Sequence, residues 1–214
     1  MHVLGITDFG LFCLAVFLLN LTPGPDTAYI IGRSVAQGRA AGVVSALGIS
    51  FGCVFHTLAS AFGLSALLAA SVTAFMAIKL AGGVYLIYLG VKLIRQKSRA
   101  GADVADAGRP PPLSLPAIFW QAALTNVMNP KVILFFLSFF PQFVAHDAPR
   151  QTLAFLVLGV VFIAMSTLWN SFTALAAGTL AARAGRKPQL KRWAERIVGG
   201  AFVALGLRLA LSKN

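Results

Sequence analysis

Asn20-Leu21-Thr22-Pro23-Gly24-Pro25-Asp26 interrupts an apolar run that begins at Val3, and its reading decides how the chain is built. Proline lacks a backbone donor and clashes with the preceding turn, so no helix runs smoothly through Pro23-Gly24-Pro25. A helix must stop there and restart, with Gly24 at the N-cap and Pro25 as the first helical residue. Asn126-Val127-Met128-Asn129-Pro130-Lys131 repeats the device further along, with Asn129 suited to the cap and Pro130 to the first turn.

What surrounds the two breaks is apolar. Of 214 residues 58% are hydrophobic and only 11% charged, against about 25% charged in an ordinary soluble domain. The mean hydropathy is +0.81. Apolar segments lie at about 3–22, 40–68, 72–94, 113–145, 150–181 and 193–211. A bilayer core of about 30 Å needs roughly 20 such residues per helix. The expected fold is an all-α integral membrane protein of six transmembrane helices. Residues 1–96 form a first three-helix half, 97–112 a polar cytoplasmic linker ending in Pro110-Pro111-Pro112, and 113–214 a second half. No room remains for a soluble catalytic domain, and no enzyme activity is expected. The run from Val3 to Leu21 has no preceding Lys or Arg and no small-x-small cleavage site, so it reads as a retained first span rather than a leader.

The formal net charge is +12, from 18 Lys and Arg against 6 Asp and Glu. Its distribution marks topology rather than nucleic-acid binding. Arg33 and Arg39 fall in the first connection, Lys92, Arg95, Lys97, Arg99 and Arg109 in the third, and Arg183, Arg186, Lys187, Lys191, Arg192 and Arg196 in the fifth. Arg150, Arg208 and Lys213 fall on the other side. Positive loops stay in the cytoplasm, which predicts a multi-pass inner-membrane protein with both termini periplasmic.

Gly83-Val-Tyr-Leu-Ile-Tyr-Leu-Gly90-Val-Lys92-Leu93 matches Gly199-Gly-Ala-Phe-Val-Ala-Leu-Gly206-Leu-Arg208-Leu209 at both glycines, two leucines and the basic position. Three spans per repeat make the second copy inverted relative to the first. Inverted halves with broken helices are a transporter architecture, because backbone groups freed at a break must face protein or water rather than lipid. The restarted helices also aim unpaired N–H groups and a positive dipole end inward, which suits a carboxylate.

The expected substrate and coupling residues therefore centre on the breaks: Pro23, Gly24, Pro25 and Asp26 in the first, Asn126, Asn129, Pro130 and Lys131 in the second, with Lys79 in span three. Asp26 is the only acid beside either break and is the natural acceptor for an ammonium group or a proton. Its plainer reading is a capping charge at the cytoplasmic surface. Lys131 opposes the dipole of its own helix, so it binds a carboxylate or snorkels. Lys79, His56, Trp169 and Asn170 read more simply as structural groups, and Gly38-x-x-x-Gly42 and Gly48-x-x-x-Gly52 as close-packing faces. No metal-ligand cluster, phosphate-binding loop or Ser/His/Asp set occurs, so no metal or cofactor is expected.

Leu21-Thr-Pro-Gly-Pro-Asp26, Arg33-Ser-x-x-x-Gly38-x-x-x-Gly42, Lys79-Leu-Ala-Gly82-Gly83-x-Tyr85-Leu-x-Tyr88-Leu-Gly90 and Asn129-Pro-Lys131 occur in the order found in the LysE/RhtB amino-acid exporters, which the chain resembles over nearly its whole length. The resemblance implies an inner-membrane efflux carrier for amino acids or derivatives such as threonine, homoserine, leucine or lysine, driven by the proton gradient. Its partners would be the amino acid, protons and the lipid bilayer, with no nucleic acid, and a homo-oligomer stays open. Two alternatives come from other classes: a thiol-disulfide electron carrier using Cys13 and Cys53, and a passive channel. Neither cysteine adjoins a helix break, and simple packing accounts better for both.

Overall fold

The computed structural model of the protein describes residues 4–64 and 112–180. Within them the chain is helical, and the one β element is an isolated bridge between Ile6 and Val144. The helices are α1 (Phe9–Leu21), α2 (Pro25–Gln37), α3 (Arg39–Ala59), α4 (Leu115–Val127), α5 (Pro130–Leu134) and α6 (Gln151–Leu180). A π-helical turn, Ser60–Leu64, extends α3, and α5 runs on through a π-helical turn, Phe135–Phe139, into a 3-10 turn, Phe140–Phe143.

Two of these units are long and apolar enough to cross a membrane: Arg39–Gly63, with a mean hydropathy of 1.6, and Gln151–Thr179, with 2.2. Two more helix pairs reach that length and apolarity only when taken together across a bend, as broken spans or re-entrant segments. α1 and α2 meet at 52°, and α4 meets Pro130–Phe143 at 46°. The described residues thus supply up to four spans. Spans three and six, the internal sequence match within them, Lys79, and the linker up to Pro111 lie outside the described residues.

The first span differs from its sequence reading. Helix α1 starts at Phe9, because the residues before it turn at Gly5 (φ +68°) and pair with the segment that follows Phe143: Ile6 bridges Val144, Thr7 N–H donates to Phe143 at 2.9 Å and Ala145 N–H to Gly5 at 2.8 Å. Arg33 does not sit in a loop. It lies buried in α2, and Arg39 opens α3. The physical reason is the stripe Asp26, Tyr29, Arg33 and Gln37, which puts the polar groups of α2 on one side at helical spacing and leaves an amphipathic helix rather than a connection. Gly38 is the whole turn between α2 and α3, at φ +87° with open space around it, so it serves as a turn and not as a packing face.

Helix α3 is the centre of the packing, touching α2, α4 and α6. Its small residues let the neighbouring backbones approach: a side chain at Gly48 would strike the carbonyl of Phe119 and Ala122, and one at Gly42 would strike Ser34 and Ala174. Around α1 and the second broken span, Phe12, Phe135, Phe136, Phe139, Phe140, Phe143, Phe155 and Phe162 form a dry aromatic core. The opposite faces are apolar and bare, as at Val160 (65% exposed), Leu168 (73%) and Phe172 (64%) on α6. Such faces suit hydrocarbon and would aggregate in water.

Candidate functional site

The two breaks meet. Helix α1 ends at Leu21, where the Thr22 N–H is shared between the carbonyls of Leu18 and Leu19 and the carbonyls after them run out of intrahelical donors. In hydrocarbon each such group would cost several kcal/mol. Lys131, arriving from α5, supplies the donors: its Nζ lies 3.0 Å from the carbonyl oxygen of Leu19 and 2.9 Å from that of Thr22. A cation that opposes the dipole of its own helix therefore satisfies the C-terminal end of another.

Asp26 makes the reciprocal link. It is the second residue of α2, after Pro25, just as Lys131 is the second residue of α5, after Pro130. Its Oδ2 accepts from Asn126 Nδ2 at 2.8 Å, so the start of α2 is tied to the end of α4 as the start of α5 is tied to the end of α1. Asp26 is buried, not a cap at a membrane surface, and its Oδ1 has no partner. Asn129 is the N-cap of α5: its Oδ1 accepts from the backbone N–H of Lys131 at 3.0 Å, and its buried Nδ2 has no partner. Gly24 is the N-cap of α2 without a side-chain bond.

Between these groups lies a cavity of about 20 Å³. It has room for about one water. Asp26, Asn126 and Lys131 line it together with Asn20 from the first break, Cys53, which the sequence reading took as a packing thiol, and Thr27 and Ser166, which it did not single out. Asn170 lines it too, whereas Trp169 packs edge-on against Phe17 at 5.6 Å. A signal for the α6 pair was present. Leu158, Phe162, Ser166, Asn170 and Ala174 recur every fourth residue and are all buried, so the two polar members share the face that the apolar ones turn inward. Ser166 also accepts from Asn20 at 3.1 Å.

The remaining candidates have plainer places. Pro23, Pro25 and Pro130 are exposed and shape the breaks without lining the cavity. His56 is 3.2 Å from the Asn126 carbonyl oxygen through Nε2 and stacks on Phe136, a satisfied interior histidine. Cys13 and Cys53 are both free thiols. Cys53 donates weakly to Asn126 Oδ1 at 3.5 Å. Among the described residues no group of His, Cys, Asp and Glu is placed to hold a metal ion.

The cavity lies half-way along both long spans. Ile49 and Cys53 are near the middle of Arg39–Gly63, and Ser166 is near the middle of α6. The crossing of the two breaks thus places one carboxylate, with an unpartnered oxygen, and one ammonium on the wall of the same cavity.

Comparison with known proteins agrees with this architecture. The chain is 37% identical to an uncharacterized membrane protein of Pseudomonas aeruginosa over 98% of both chains. It is 28% identical to the leucine efflux protein of Salmonella typhimurium, over 96% of both. No solved structure matches. The profile of the LysE type translocators matches residues 17–213. The chain is thus a multi-pass membrane protein that belongs to the LysE type translocator family.

Proposed function

We propose that the protein is a secondary-active exporter of amino acids or their derivatives, of the threonine, homoserine or leucine kind, across the inner membrane. The observation that carries this reading is the convergence of both helix breaks on one buried cavity, with Asp26 and Lys131 in equivalent positions on the two restarted helices. The kinship to leucine efflux proteins supports the substrate class. In this reading Asp26 Oδ1 receives the substrate ammonium group or a proton. Lys131 and the helix starts at Pro25 and Pro130 hold the carboxylate.

A cavity for one water is too small for any amino acid, so substrate enters only when the spans around it separate. Alternating access supplies that motion. The two bends of 52° and 46°, each followed by a long apolar helix, support two inverted halves that rock about the site. The cytoplasmic side is the one that carries most of the loop Lys and Arg, which puts both termini in the periplasm.

Counterflow tests the function. Purified protein in liposomes preloaded with unlabelled leucine or threonine should accumulate the radiolabelled amino acid, and an imposed pH gradient should drive net uphill movement. Failure to exchange any amino acid by protein that has inserted correctly would refute the reading.

A further inference from the structure

The charges at the cavity define what kind of amino acid fits. Among the described residues, Asp26 and Lys131 supply the formal charges of its wall, one of each sign. The rest is neutral, from amides such as Asn20 and Asn170 to apolar side chains such as Ile49 and Phe162. Lys131 is not free to swing its charge to an interface. Its Nζ is fixed by the Leu19 and Thr22 carbonyls at 3.0 and 2.9 Å. Its stem crosses the first break at Gly24, where an added side chain would lie 3.4 Å from Nζ. Two of its three N–H donors are taken by those carbonyls, which leaves one. Asp26 Oδ1 is buried without a partner. The site therefore offers one charged acceptor and one charged donor on a background of zero net charge.

We propose, building on the exporter reading, that Lys131 is the charge-selectivity residue of this site, admitting amino acids with no net charge and excluding those with a cationic side chain. A neutral amino acid pairs its ammonium with Asp26 and its carboxylate with Lys131, and the cavity stays electrically balanced. Lysine or arginine brings a second cation to a wall whose single carboxylate is already used. An unpaired charge at mid-membrane depth is disfavoured by about a hundredfold or more. Removing the Lys131 charge leaves the site net negative, so the penalty on the cation falls.

Matched pairs of competitors read this directly. Norleucine shares the four-carbon stem of lysine without its ammonium, and citrulline replaces the guanidinium of arginine by a neutral group of similar shape. In leucine counterflow by the wild type, norleucine and citrulline should compete, while lysine and arginine should need about a hundredfold higher concentration. In Lys131→Gln, whose amide still donates to the α1 carbonyls, the gap should shrink by about tenfold or more. Lys131→Arg keeps the charge and should keep the gap, a control that holds even if the Gln variant does not insert. Wild-type counterflow blocked equally by lysine and norleucine would overturn the charge filter while leaving the exporter reading intact. So would an unchanged gap in Lys131→Gln, or a lost gap in Lys131→Arg. A wild type that exchanges no amino acid at all refutes the exporter reading and the filter with it.

Discussion

Lys131 donates to the carbonyl oxygen of Thr22 at 2.9 Å, joining the start of one restarted helix to the end of the helix that breaks before it in the chain. With the Asn126–Asp26 bond at 2.8 Å it makes two crossed ties between the broken spans. The consequence is mechanical as well as chemical. Both breaks are thus bonded to each other, so the groups proposed to meet substrate also hold the two bent helix pairs together.

Lys131→Met tests the first tie. It keeps most of the stem and removes both hydrogen bonds to the α1 carbonyls. A hydrogen bond to a charged group contributes about 1.5–3 kcal/mol. The Thr22 carbonyl loses its donor while the Leu19 carbonyl keeps the Thr22 N–H at 3.2 Å, and the variant should unfold at a lower temperature in detergent than Lys131→Arg. Equal thermal stability of the Met, Arg and wild-type proteins would show that the tie does not form.

Gly52→Ala tests how α3 supports the second tie. A methyl group there would lie 2.7 Å from Asn126 Oδ1 and 2.8 Å from its Cβ, too close for either to stay. Overpacking of this kind costs about 1–3 kcal/mol. It should also push Asn126 off Asp26, so transport should fall with stability. Gly32→Ala on α2 meets nothing within 4 Å and should be neutral or stabilising by about 0.5–1 kcal/mol. Matching losses in the two variants, measured by thermal unfolding and counterflow, would argue against a specific contact at Gly52.

The double variant Cys13→Ser, Cys53→Ser separates the carrier from the electron-transfer alternative. A hydroxyl in place of the Cys53 thiol keeps a donor for Asn126 Oδ1, and Cys13 is a half-buried packing residue. Export should survive nearly unchanged in folded protein. Complete loss would return the thiol pair to consideration.

Both breaks were legible in the sequence because proline and glycine act locally: Gly24 and Asn129 take the cap positions and Pro25 and Pro130 the first turns that their chemistry requires. The helix between Pro25 and Gln37 was not, since its polar groups and Arg33 resemble a loop to any measure of apolarity. Its stripe at Asp26, Tyr29, Arg33 and Gln37 was the available signal. What no local rule supplies is the partner of Lys131. That contact joins residues 109 positions apart and arises only when two breaks pack against each other. For the same reason the α6 residues Ser166 and Asn170 gain their meaning from the face they share with Phe162, and Cys53 from its position one turn beyond Ile49 on α3.

If the crossing of the two breaks is the transport site, the Asp26 carboxylate carries its coupling or ammonium contact. Asp26→Asn preserves the size of the side chain and one oxygen for Asn126, but it holds no negative charge. The decisive measurement is net movement of leucine against its gradient in proteoliposomes, driven by an imposed pH difference, at equal amounts of inserted protein. Asp26→Asn should lose uphill transport, any residual exchange should no longer respond to pH, and Asp26→Glu should recover part of the activity. Wild-type uphill transport by Asp26→Asn would refute this assignment and place the coupling group elsewhere in the chain.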